Sequence, residues 1–145
     1  MATKYLITAF LVFLFSVTIS AQKGLSGLLI DIETRCQPLT VSSETESDVH
    51  AFVAPLPVIQ LTPELFLESI LRDHNTPIEV ADFHDWIDSQ VTKQNVEQWD
   101  NLRFFMIGRL TELVVYRVGT VNVDTYVVGL FNGRVVGIRT FEMRT

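Results

Sequence analysis

Asp82, His84, Asp85 and Asp88, in the stretch DFHDWID, put three carboxylates and an imidazole within one short segment. His84 and Asp88 are four apart, so a helix would set them on one face, where a divalent cation could be held loosely. A working metal site needs three or four converging ligands. Asp82 reads better as a helix cap, and Asp85 with Asp88 as a solvated face. A metal-dependent hydrolase built on Asp82, His84 and Asp88 is therefore kept only as an alternative. The chain has no GxSxG, no Gly-rich phosphate loop, no HExxH and no CxxC. A nuclease would need a basic cleft, but Arg103, Arg109, Arg117, Arg134, Arg139 and Arg144 are spread among acids and read as solvated or paired. Cys36 is the only cysteine, so no internal disulfide can form. Its neighbours place it on the last turn of an apolar helical face, as a core thiol rather than a nucleophile.

A second cluster could act on a partner instead of a substrate. Ser42 to Asp48 (SSETESD) is a polar loop in which Glu44 and Glu46, with Ser43, Thr45 and Ser47, form an oxygen-rich projection. Such a loop could offer carboxylates to a metal or an arginine cluster in another protein, as a phosphate would. The alternative is an ordinary solvated turn. The whole chain has 11 basic and 17 acidic residues, a net charge of -6. That balance repels phosphate backbones, so direct nucleic-acid binding is not expected. It suits a partner with a basic, phosphate-binding surface, or it serves solubility alone.

The elements that would position these residues follow from periodicity. With 145 residues and 48% hydrophobic content the chain can build one core. Lys4 followed by the apolar run Tyr5 to Ile19, then Ser20 and Ala21, has the three regions of a secretory leader. Residues 1–21 are thus expected to be a signal peptide cleaved after Ala21, with an uncleaved anchor as the alternative. The mature domain, residues 22–145, would then be secreted or periplasmic, with no stable membrane association. Leu25, Leu28, Leu29, Ile32 and Cys36 predict a helix stopped before Pro38. Val49 to Val53 predict a strand ended by Pro55 and Pro57. Thr62 and Pro63 start a helix towards Leu71. Val80 to Ile87 begin extended and continue as a short helix capped by Asp82. The longest helix is expected from Asn95 to Glu112, with Val96, Trp99, Leu102, Phe105, Met106, Leu110 and Leu113 as its apolar stripe. Val114 to Val118, Asn122 to Leu130 and Arg134 to Met143 predict strands, the last two joined by Asn132-Gly133 in a type I′ turn. This order specifies an α+β domain with a mostly antiparallel sheet covered by helices.

VYRVG (Val115 to Gly119), VNVDTYVVG (Val121 to Gly129) and VVGIRT (Val135 to Thr140) resemble the end of the nuclease A inhibitor family. SETES (Ser43 to Ser47) resembles that family's serine-and-glutamate loop, and VADF (Val80 to Phe83) matches in order. The resemblance covers roughly Leu25 to Thr145. It implies an α-β-α sandwich with an antiparallel central sheet, similar to the plant pathogenesis-related-1 fold. It also implies a non-enzymatic protein that plugs the active site of a metal-dependent, sugar-non-specific endonuclease. By this resemblance Glu44 would reach the nuclease's magnesium and Thr145 would enter the site. Glu46 belongs to the same loop, and Gln94 matches a polar contact ahead of the long helix. The inhibitor would hold no cofactor of its own. One departure stands out: the family's tryptophan near that glutamine falls on Val96, and the nearest tryptophan is Trp99. An exported adaptor for some other protein is the alternative function.

Overall fold

The computed structural model describes residues 24–43 and 46–144. The expected leader, residues 1–21, lies outside them, as do Glu44, Thr45 and Thr145. Leu28, Ile32 and Cys36 are all buried on one stripe of the first helix, α1 (residues 24–36). Two short strands follow, β1 (Thr40–Ser42) and β2 (Glu46–Asp48), which pair antiparallel as a hairpin of their own. The segment expected as a plain loop is therefore a hairpin. Its polar composition hides the strands, and the apolar side chains that seat it, Val41 and Val49, lie at its flanks, both buried.

Beyond it come β3 (His50–Val53), α2 (Pro63–Ser69), β4 (Ile78–Ala81), α3 (Phe83–Gln90), α4 (Val96–Arg109), β5 (Thr111–Val118), β6 (Asn122–Phe131) and β7 (Arg134–Met143). Both expected caps are present: Thr62 Oγ1 accepts from Leu65 N–H, and an Asp82 carboxylate oxygen from Asp85 N–H. Helix α4 stops at Arg109, three residues short of the expected end. Thr111 pairs instead with Leu130 of β6, and Glu112, at φ 54°, sits at an irregularity in the pairing before Val114. Leu110 and Leu113 reach the same core from extended backbone, so their spacing fits helix and strand alike.

Five strands form one antiparallel sheet in the order β3-β7-β6-β5-β4. Alternate residues feed two clusters. Val115, Val127, Val136 and Ile138 meet Ile32 of α1, Ile87 of α3 and Leu102 of α4. Tyr116, Tyr126, Val128 and Val135 meet Phe66 and Leu67 of α2. The sheet is thus covered on both faces, which is why its strands read as nearly continuous apolar runs. On one side Trp86 and Trp99 meet edge to face at 5.8 Å; on the other Phe66 stacks on Tyr116 at 4.5 Å. Each such ring pair adds about 0.5–1.5 kcal/mol beyond area burial. No helix among the described residues is long and apolar enough to cross a membrane.

Candidate functional site

The β1–β2 hairpin lies beside the outer edge of β7, and the way it is tied there defines the site. Strand β3 covers that edge only from Val53 opposite Val136 to His50 opposite Arg139. Past Arg139 side-chain hydroxyls replace the backbone ladder. Thr140 Oγ1 donates to the Asp48 carbonyl at 2.9 Å, and Met143 N–H donates to Ser43 Oγ at 3.1 Å. On the inner edge Arg144 N–H donates to the Val121 carbonyl at 2.8 Å. The acidic hairpin and the last residues of β7 therefore meet at one end of the sheet.

A charged network fixes that end from beneath. Thr140 and Glu142 continue the side-chain row of Val136 and Ile138, so Glu142 points towards α3 and is buried. Its carboxylate accepts from Trp86 Nε1–H at 3.3 Å, Thr125 Oγ1 at 2.8 Å and Arg117 Nε at 3.2 Å. Three donors, one of them a cation, offset the cost of burying that charge. Arg117 also reaches Glu79 on β4 at 3.0 Å, and Arg144 donates to the other oxygen of Glu79 at 3.0 Å. The Arg144 hydrogen bond, reinforced by Arg117, holds the Glu79 carboxyl below its ordinary value. The same contact raises Arg144 further. The ladder ties β7 across β6 and β5 to β4, one residue before Thr145.

On the opposite face the sheet beyond α2 is open. Asp48, His50, Asp124, Arg139 and Phe141 line a cleft of about 420 Å³ there. Arg139 and Arg72 share Asp124, at 3.1 and 3.4 Å, and Arg139 lies over the Tyr126 ring. At the rim His50 Nδ1 bonds Glu33 of α1 at 2.9 Å, while the other Glu33 oxygen accepts the Ala51 N–H. The Ala51 bond, then His50, lowers the Glu33 carboxyl, and Glu33 in turn raises His50.

The sequence-derived candidates divide among these surroundings. Glu46 is exposed on β2, opposite Ser42. Glu44 and Thr145 fall outside the described residues, but each is close in sequence to the bonded pair of Ser43 and Met143. Gln94 is exposed in the turn ahead of α4, and the hydrogen bonds of that turn stay local, from Thr92 N–H to Asn95 Oδ1 and from Asn95 Nδ2 to the Gln90 carbonyl. Val96 is 39% exposed, whereas Trp99 is fully buried against Trp86. Trp99 is thus a core residue and offers no surface contact in place of Val96.

The carboxylate–imidazole cluster is dispersed. Asp82 caps α3, His84 is exposed, and Asp88 pairs with Arg103. Among the described residues no group of three or more His, Cys, Asp or Glu side chains is placed to hold a metal ion. Cys36 is buried, and burial, with the nearby Glu33 charge, pushes its thiol up to about 12. It stays a protonated core group. Most arginines are paired as expected, Arg117 and Arg139 through the acids just described.

Sequence reasoning missed the ladder of Glu142, Arg117, Glu79 and Arg144. One signal was available: in β7 an acid occupies the same alternating row as Val136 and Ile138, and an inward acid demands a partner. The family model for NuiA, nuclease A inhibitor-like protein, matches residues 26–145. No curated protein matches the chain.

Proposed function

The chain belongs to the nuclease A inhibitor-like family, and on that premise we propose that it occludes the active site of a metal-dependent, sugar-non-specific endonuclease. The family is of an inhibitor type, which accords with a non-enzymatic role. The observation that carries the finer reading is the meeting of an acidic hairpin with the last residues of β7 at one end of the sheet. Glu44 would direct its carboxylate to the nuclease's magnesium, the only metal in the complex. Thr145 would offer its carboxylate or hydroxyl to the groups that normally bind phosphate. Glu46 and Gln94 would add polar contacts at the rim. An anionic projection entering a cationic cleft gains both encounter rate and register.

The resemblance also leads us to place the domain with the pathogenesis-related-1-like sandwiches. Residues 1–21 are proposed as a leader that delivers residues 22–145 to the periplasm or the medium. The support is the order of charge, apolar run and small residues in the sequence.

The test is a titration of the untagged protein into a magnesium-dependent, sugar-non-specific endonuclease while DNA cleavage is followed. Stoichiometric loss of cleavage is expected. Glu44→Ala should weaken inhibition by roughly tens-fold, the size expected when one member of a buried charge pair is removed. A short tag added after Thr145 should also impair inhibition. Full inhibition by both altered proteins would remove Glu44 and Thr145 from the mechanism, and no inhibition by the unaltered protein would favour an adaptor for some other protein.

A further inference from the structure

We propose that Ser43 is a positioning residue: by accepting the Met143 N–H it fixes the acidic hairpin and the Met143 end of β7 as one unit. Its consequence for inhibition rests on the occlusion reading above.

A strand edge normally satisfies its outward N–H groups with a neighbouring backbone or with water. Among the described residues, strand pairing on this edge of β7 runs only as far as Arg139. Thr140 then reaches across through its own hydroxyl, and Met143 is met by the hydroxyl of Ser43. The two clasps differ in what they join. The Thr140 bond lands on the Asp48 carbonyl, at the base of the hairpin where β2 leads into β3. The Ser43 bond lands at the far end of the hairpin, immediately before Glu44.

Serine has a single side-chain torsion, so a bond to its Oγ holds the Ser43 backbone close to β7. Glu44 is the next residue after Ser43, and Thr145 is the second after Met143. In sequence, both proposed contact residues lie one or two positions from this hydrogen-bonded pair. On the inner side Arg144 is held by its own N–H to Val121 and by its guanidinium to Glu79. Ser43 supplies a second restraint between strand and hairpin, beside the Thr140 bond to Asp48. Two groups that must enter one cleft together bind better when their separation is set beforehand.

The test uses the whole protein and two readouts. The first needs no nuclease: amide exchange at Met143, followed by NMR in Ser43→Ala and Ser43→Thr. Loss of the acceptor should speed Met143 exchange by roughly three- to tenfold, the factor a net hydrogen bond represents. Ser43→Thr, which keeps a hydroxyl there, should restore the slow rate, and the urea midpoint should stay near wild type in both. Unchanged exchange in Ser43→Ala, or a loss that threonine does not rescue, overturns the clasp. The second readout is inhibition in a cycle of Ser43→Ala with deletion of Thr145. The serine change should cost about three- to tenfold when Thr145 is present and clearly less when it is absent. Strict additivity overturns the claim that Ser43 acts through Thr145. A protein that inhibits no nuclease at all would overturn the occlusion reading, while the exchange result would still decide the clasp.

Discussion

At its Arg134 end, β7 is fixed almost entirely by backbone. Asn132 at φ 49° and Gly133 at φ 77° make the turn from β6, and Val58 N–H and Ala54 N–H donate to the carbonyls of Gly133 and Val135 at 2.9 Å. At its Met143 end the same strand keeps its backbone ladder to β6 as far as Asn122 opposite Met143, but its other contacts are made by side chains: the hydroxyls of Thr140 and Ser43 on the outer edge, the Glu142 carboxylate beneath. A backbone-held end tolerates many residue types provided the turn is kept. A side-chain-held end is set residue by residue, so its geometry can be tuned by substitution without redesigning the fold. The proposed contact surface lies at the second kind of end.

The largest effect should come between the two ends. A Cβ on Gly137 would lie 2.0 Å from the Val127 carbonyl oxygen and 2.8 Å from Val128 Cα. Gly137→Ala should therefore lower stability by about 3 kcal/mol or more in urea unfolding, because backbone has no rotamer with which to yield. A loss below about 1 kcal/mol would mean that β6 and β7 can part here without disturbing either end. Next comes a direct comparison of the ends. Glu142→Gln removes the charge facing Arg117 and should cost about 2 kcal/mol. Arg134→Ala, which removes a bond of 3.0 Å to the Ala54 carbonyl, should cost about 1 kcal/mol or less. Equal losses would erase the distinction between the ends.

The smallest effect concerns pH at the Glu33–His50 clamp beside the open cleft. Glu33 is lowered, so its contribution is present above the ordinary carboxylate value and lost as pH falls through its folded value. His50 is raised, so its contribution is complete below 6.5 and is lost as pH rises through its folded value. The clamp is firmest in mild acid, between those two titrations. An NMR titration should place His50 above 6.5, and Glu33→Gln should bring it back towards that value. A histidine that titrates identically in both proteins would show that the bond does not persist in solution.

Much of this architecture was legible because single residues carry it. Asn132-Gly133, Thr62-Pro63 and Asp82 each dictate a local geometry, and the structure places a turn, a helix start and a cap there. The four-residue spacing of Leu28, Ile32 and Cys36 likewise announced α1. Legibility ended where distant pairing decided the outcome. Thr111 and Glu112 follow a helix without a breaker, and only β6 draws them into a strand. Thr40–Ser42 and Glu46–Asp48 are too short and polar to read as strands and are extended because they pair with each other. Phe104 and Phe105 are adjacent on α4, yet Phe104 is 67% exposed while Phe105 lies under Arg35 of α1 at 3.9 Å. The Glu142 ladder joins residues up to 65 positions apart, from Glu79 to Arg144, and no local pattern encodes such a meeting.

Glu33 has a consequence beyond its pH response. Strand β3 is an outer strand of the sheet, with Phe52 and Val53 only partly buried, and such an edge is where a second molecule would add a strand and begin a polymer. The outward N–H of Ala51 is already taken by the Glu33 carboxylate. An incoming strand would have to displace a charged acceptor to use that N–H. One glutamate reaching down from a helix thus occupies a donor that an added strand would need.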